Sequence, residues 1–186
     1  NNFVSGDLTV NGLKGGGTKY FNTGIDASSF PLDDASLSAY MYQDNDTANK
    51  ILGGADDGTI ATQTALFNVF DTTQRVLRIN GASSSATVSS TAMTGLSNIQ
   101  RADSTEVKNF YNGSDLVTIS STSDTRATSN IYFHAINRSA TAINHSSSVL
   151  SLYQVGLSAL TANENADFYE AIQWYQTNII TGGRNV

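Results

Sequence analysis

Between Val107 and Ile119 the chain reads Val-Lys-Asn-Phe-Tyr, then Asn-Gly-Ser-Asp, then Leu-Val-Thr-Ile. Two runs rich in β-branched and aromatic residues flank an Asn-Gly pair. Asn and Gly tolerate the positive φ angles that a tight hairpin turn needs at its central positions, so the segment predicts a β-hairpin. A lone hairpin is marginal in water and needs further strands and a shared apolar face. The chain supplies them. From Ser36 to Tyr42, Leu37, Ala39 and Met41 alternate with Ser36, Ser38, Tyr40 and Tyr42, the pattern of a strand with one face in a core. Residues 65–71 and 75–80 predict two strands around a Thr-Thr-Gln turn, and Asn80-Gly81 is a further turn signal. Residues 130–137 put Ile131, Phe133 and Ala135 on one face and Tyr132, His134 and Ile136 on the other. Val149 to Val155 is the last strand, and Leu8-Thr9-Val10 pairs briefly ahead of the Gly15-Gly16-Gly17 loop.

One segment breaks the pattern. Thr161 followed by Glu164 fits a capping box, and Phe168, Ile172, Tyr175 and Ile179 recur at helical spacing before Gly182-Gly183. That predicts a helix over 162–180. Many short strands with polar turns and one late helix give an all-β fold, an antiparallel β-sandwich with one C-terminal helix.

Composition narrows the function classes. At 186 residues the chain fits one domain, 1–186, with a core that needs no staples. It holds no cysteine, which excludes disulfides and thiolate metal sites. The net charge is −6 with no Lys/Arg run, so nucleic acid is not an expected partner. No stretch approaches the ~20 apolar residues of a membrane span. Charged residues make up 14%, against ~25% in an average soluble protein. Ser, Thr, Asn and Gly replace them, an exchange common in secreted and virion-surface β-proteins. The first residues are Asn1-Asn2 rather than Met, which suggests a piece of a longer polypeptide.

The segments taken in order resemble a family. GLKGGGTKYFNTGID (12–26) resembles an opening strand after a Gly-rich turn, and ASLSAYMY (35–42) an early core strand. STEVKNFYNGSDLVTISSTS (104–123) resembles the family's strand, "NG" turn and returning strand. SNIYFHAINRSA (129–140) resembles the strand after it, and SLYQVGLSALTANENADFYEAIQWYQTNI (151–179) the closing strand and helix. Together they resemble a concanavalin A-like lectin/glucanase jelly roll, related to laminin-G-like domains, in the version found in bacteriophage structural proteins. The resemblance implies two stacked antiparallel sheets. It implies no single function, because the fold hosts lectins, glycanases and inert modules.

Three groups of residues could carry chemistry. Glu164, Asp167 and Glu170 are evenly spaced acids, but glycanases of this fold carry their acids on a strand as Glu-x-Asp-x-x-Glu. On a helix, Glu164 is the capping residue and the other two are its polar side. No catalytic residue is therefore expected. Asp44-Asn45-Asp46 and Asp56-Asp57-Gly58 are oxygen-rich loops of the kind that hold Ca²⁺, with Asp44 and Asp46 the candidate ligands, although Asp and Asn are also ordinary turn residues. His134 and His145 lack zinc-ligand spacing. Tyr40, Tyr42, Tyr132 and His134 share the non-core parity of their strands. If both strands lie in one concave sheet, the four line a sugar groove, with rings to stack on sugar faces. The bland alternative is that this face packs against a loop, the helix or a neighbouring subunit.

The expectation is a non-enzymatic virion structural domain on a phage tail or capsid surface, serving host-surface glycan adhesion or decoration. Its partners would be other virion proteins and bacterial surface polysaccharide. It would act in several copies, on the virion surface or otherwise outside the cell. The alternative is a carbohydrate-binding module of a bacterial secreted or cell-surface protein, and a second alternative is a glycan hydrolase.

Overall fold

The computed structural model describes residues 2–46, 50–59, 62–69, 74–81, 85–87 and 94–178. Among them the strands are β1 (Leu8–Thr9), β2 (Gly12–Lys14), β3 (Phe21–Asp26), β4 (Ala35–Gln43), β5 (Lys50–Asp56), β6 (Thr64–Val69), β7 (Gln74–Arg78) and β8 (Ser85–Thr87). They continue as β9 (Gly95–Arg101), β10 (Glu106–Tyr111), β11 (Ser114–Ser120), β12 (Asn130–Phe133), β13 (Ile136–Arg138), β14 (Thr141–Ile143) and β15 (Val149–Gly156). One helix, α1 (Ala162–Asn178), follows. The strands form two sheets. The first runs β1-β2-β15-β4-β9-β10-β11, with every neighbouring pair antiparallel. The second runs β14-β13-β5-β6-β7-β8, with β12 joining β5 to β3. This is the all-β sandwich with a C-terminal helix.

Alternation explains the core. Leu37, Ala39 and Met41 of β4 meet Ile99, Val107 and Leu150 of the first sheet and Leu52, Ala55, Leu77, Ile131 and Phe133 of the second. Val76 alternates with Leu77 and so faces the other side of its sheet, where it clusters with Ile51 and Ile136. Asn112 and Gly113 have φ of 49° and 78° between the paired Tyr111 and Ser114, a two-residue hairpin turn as the Asn-Gly signal predicts. Glycine there has a second reason. A Cβ on Gly113 would sit 3.0 Å from the Tyr169 Cβ and 3.1 Å from the Ala166 Cα, both in α1.

The second face of β4 is buried as well. Ser36 and Ser38 are fully covered, and Tyr40 is 3% exposed. The register explains how. Ser38 pairs with Asn98 and Gln154, and Ser36 with Gln100, which makes rows of small polar side chains and amides under α1. Asn165, 2% exposed, enters this layer from the helix. Its Oδ1 accepts from Asn98 Nδ2 at 2.7 Å, and its Nδ2 donates to Gln100 Oε1 at 3.2 Å. Gln100 Nε2 donates to the Leu160 carbonyl at 2.6 Å, and Gln176 Nε2 donates to Ser151 Oγ at 3.0 Å. The helix therefore docks through amides, flanked by half-buried Phe168 and Ile172.

Four expectations need correction or bounding. Residues 130–137 are two strands, because His134 adopts φ 64° and ends β12. Tyr175 of the expected apolar stripe is 46% exposed, since the buried line passes through Asn165 and Gln176 instead. Strands β5 and β9 had no counterpart among the expected strands, while β3 falls where the opening strand after the Gly-rich turn was expected. Ile179, Gly182-Gly183, the Thr72-Thr73 turn and the end of the 65–71 strand lie outside the described residues.

Candidate functional site

A cavity of about 470 Å³ lies over β12 and β13 and falls within the usual size range of ligand sites. β12 supplies Asn130 and Tyr132, β13 supplies Asn137, and Ser139 and Ala140 come from the β13–β14 turn. Asp57, just past β5, closes the rim with Thr128 and Ser129.

Residues some seventy apart in sequence meet here because Asp57 binds them. Its Oδ2 accepts from the Thr128 backbone amide at 2.9 Å and from Thr128 Oγ1 at 3.1 Å. Its Oδ1 accepts from Ser129 Oγ at 2.9 Å. The neighbouring Asp56 is 1% exposed and holds Arg138, with Nε 2.9 Å from Oδ1 and Nη2 3.0 Å from Oδ2. That hydrogen bonding raises the Arg138 pKa above its ordinary value. Gln63 Nε2 and the Gly58 amide donate to the same carboxylate. Tyr132 stacks on Tyr20 with ring centroids 4.5 Å apart and planes 18° apart. Burial, followed by Tyr20, pushes its phenol pKa up. Asn137, 3% exposed, donates from Nδ2 to the Asn130 carbonyl at 2.8 Å, while its buried Oδ1 has no protein donor.

The turn is strained. Arg138 pairs with Thr141 across Ser139 and Ala140, whose φ values are 47° and 70°. A tight hairpin of this kind favours Asn-Gly, and each left-handed non-Gly residue costs roughly 1–2 kcal/mol. Strain of this sort clusters at ligand sites. The arrangement offers acceptors, hydroxyls and an aromatic edge, a set suited to orienting a hydroxyl-rich ligand.

The four expected sugar contacts do not share one groove, because Tyr40 and Tyr42 belong to the first sheet, Tyr132 belongs to the second, and His134 follows Tyr132's strand just past its end. Tyr40 lies under α1, where Gln173 Nε2 donates to its hydroxyl at 3.3 Å. Tyr40 and Tyr42 line a smaller cavity of about 170 Å³ with Asn112, Tyr169 and Gln173. Tyr132 is in the large cavity. His134 is fully buried, with Nε2 2.8 Å from the Tyr153 hydroxyl. Burial lowers its pKa to about 4 and raises that of Tyr153, so both are neutral near pH 7.

Asp44 and Asp46 sit against the Ser146-Ser147-Ser148 run. Asp46 accepts from the Ser147 amide at 2.7 Å, Ser147 Oγ at 2.8 Å and Ser148 Oγ at 3.0 Å, and also from Ser146 Oγ. Asp44 Oδ1 accepts from the Asp46 amide at 3.0 Å. A Ca²⁺ ion here would compete with these donors. Among the described residues no three His, Asp or Glu side chains gather as a metal cluster. Glu164 caps α1: its Oε2 accepts from the Thr161 amide at 2.7 Å, and its own amide donates to Thr161 Oγ1 at 3.3 Å. These bonds lower its pKa. Asp167 and Glu170 are exposed.

Sequence reasoning reached Tyr132 by parity but missed Asn137, Ser139, Thr128 and Ser129. Asp57 stood out only as part of an oxygen-rich turn. A third cavity, about 440 Å³, is lined by Asn11, Lys14, Gln43 and Asn45 among others.

No protein-family model matches the sequence, and no curated protein matches it. Solved structures do resemble the fold. The CBM40 module of the Ruminococcus gnavus IT-sialidase, bound to α2,3-sialyllactose, is 17% identical with a TM-score of 0.58, over 84% of this chain and 96% of the module. Domain 4 of AbnA, a GH43 extracellular arabinanase from Geobacillus stearothermophilus, in complex with arabinotriose, is 13% identical with a TM-score of 0.60, over 78% and 70%. The binding domain of Paraclostridial Mosquitocidal Protein 1 is 12% identical with a TM-score of 0.57, over 86% and 44%. The chain has the β-sandwich fold found in these carbohydrate-binding modules and binding domains.

Proposed function

We propose that this chain is a carbohydrate-binding module of a secreted or cell-surface bacterial protein, without catalytic activity of its own, and that its glycan sits over β12 and β13. The observation that carries the reading is the large cavity. It joins a buried, unpartnered Asn137 Oδ1, the Asp57 carboxylate and the Tyr132 ring beneath a strained turn. Sugar sites need this combination of planar polar groups, which fix hydroxyls, and aromatic surface. The sugar complexes of structures with this fold support the same reading. A virion-surface setting, with other virion proteins as partners, would use the same site and differ in the polypeptide around it. Single sugar contacts are weak, so the module would act in several copies.

The test is binding to a panel of bacterial surface glycans displayed on beads, with the wild type, Asn130→Ala and Tyr42→Ala. Calcium is present in one arm and chelated in the other. Saturable binding lost with Asn130→Ala and kept with Tyr42→Ala is the expected result. The chelated arm tests the cation at Asp44 and Asp46. Binding lost only with Tyr42→Ala would move the site to the small cavity, and silence across the panel would refute the reading.

A further inference from the structure

The chemistry of the cavity also bears on which glycans it takes. Resting on the reading just given, we propose that the β12–β13 cavity accepts uncharged glycans and rejects those carrying a carboxylate, such as sialosides and uronates.

Three observations point there. First, the charged side chain in the lining is a carboxylate, Asp57. Its oxygens accept three hydrogen bonds, from Thr128 twice and from Ser129 once, and these fix the carboxylate at the rim as a set of acceptors. Second, Asn137 Oδ1 is buried without a donor. A buried acceptor in that state costs free energy until a donor reaches it. A sugar hydroxyl brings a proton to a lining of this kind; a sugar carboxylate brings only lone pairs and a second negative charge beside Asp57. Third, among the described residues no Lys, Arg or His lines the cavity. Arg138, the cation next to it in sequence, has its guanidinium on Asp56. The lining thus asks for donors, and the whole chain, at a net charge of −6, adds to the repulsion of anions. Lys14, which could attract an acidic sugar, lines a different cavity. On this account α2,3-sialyllactose, the ligand of the structurally similar R. gnavus module, is a poor ligand for this cavity despite the shared fold.

The experiment uses the full chain and a bead panel of paired glycans, each neutral oligosaccharide beside its sialylated or uronate counterpart. Lactose with α2,3-sialyllactose is one pair. The wild type, Lys14→Ala, Asn130→Ala and Asp57→Asn are compared at pH 7. In Lys14→Ala the acidic member of each pair is expected to bind about tenfold more weakly, the size of one like-charge contact in partly hydrated surroundings. Asp57→Asn keeps an oxygen for Thr128 and removes the charge, so it is expected to narrow the gap several-fold. If that variant misfolds, raising the salt to about 1 M does the same to the wild type, because the screening length falls to ~3 Å. Acidic glycans that bind Lys14→Ala as tightly as their neutral partners, and lose that binding with Asn130→Ala, would overturn the selectivity and leave the sugar site standing. Glycan binding indifferent to Asn130→Ala, or none across all pairs, would remove the site itself and the inference with it.

Discussion

Replacing Arg101 with methionine tests what fastens the two sheets at one end. Arg101 ends β9 and is fully buried. Its Nε donates to the Ile79 carbonyl at 2.7 Å, and its Nη1 to the Ser121 carbonyl at 2.7 Å and the Asp103 carbonyl at 3.2 Å. Its Nη2 lies 3.3 Å from Ser121 Oγ. Ile79 follows β7 in the second sheet and Ser121 follows β11 in the first, so one guanidinium ties both. Burial lowers its pKa, while Asp33 and Asp103 act the other way. Gly81 makes room: a Cβ there would lie 3.0 Å from Nη2 and 2.7 Å from the Thr122 carbonyl. Methionine roughly fills the space but strands the Ile79 and Ser121 carbonyls. At about 1.5 kcal/mol for each lost buried partner, the cost is about 3 kcal/mol. Alanine adds a cavity and should cost about 5 kcal/mol. Urea unfolding reads this directly, since a slope of ~2 kcal/mol/M puts the Arg101→Met midpoint ~1.5 M lower. A Met variant within ~0.5 kcal/mol of wild type would show that the carbonyls find other donors and that Arg101 fastens nothing.

Other expectations follow from the same geometry. His134 titrates near 4 when folded and 6.5 when unfolded, so the unfolded chain binds the extra proton between those values. Stability is then full above pH ~6.5 and falls by on the order of 3 kcal/mol as pH drops through ~4, while His134→Asn, which tolerates φ 64°, flattens that slope in pH-dependent denaturation. Thr161→Ala removes the N-cap and should cost ~0.5–2 kcal/mol by thermal melting with glycan binding intact. Glu164→Ala is likewise expected to fold and bind; binding lost from a folded variant would reopen the catalytic reading of the helix acids. Changing Ser139 and Ala140 together to Asn-Gly relieves the turn and should stabilise the fold by ~1 kcal/mol, with weaker glycan capture if the strain positions Ser139.

The sequence was most legible where local chemistry and tertiary packing agree. Asn112-Gly113 specifies its own turn, and the alternation of β4 separates Leu37, Ala39 and Met41 from Ser36, Ser38 and Tyr40 before any partner is known. β9 was unreadable for the opposite reason. Gly-Leu-Ser-Asn-Ile-Gln-Arg has weak β-propensity, and its Asn98 and Gln100 are buried only because α1 brings Asn165 to meet them. The same amide layer hid the docking side of α1, which resembles solvent-facing residues until the sheet beneath is known. At the site, parity identified Tyr132, yet one left-handed residue, His134, splits the segment into two strands, so simple alternation does not place Asn137 beside Tyr132. Asn137 and Asp57 come together through side-chain bonds to Asn130, Thr128 and Ser129. Contacts of this range leave no periodic trace in a single sequence.

The central claim is that a glycan occupies the cavity over β12 and β13, and an amide-resolved NMR titration with a neutral oligosaccharide captured from the bead panel tests it most directly. Saturable shifts confined to Asp57, residues 128–132 and residues 137–140 are the predicted result. Saturable shifts centred instead on Tyr40, Tyr42 and Gln173, or around Lys14, with the β12–β13 amides unmoved, would contradict it.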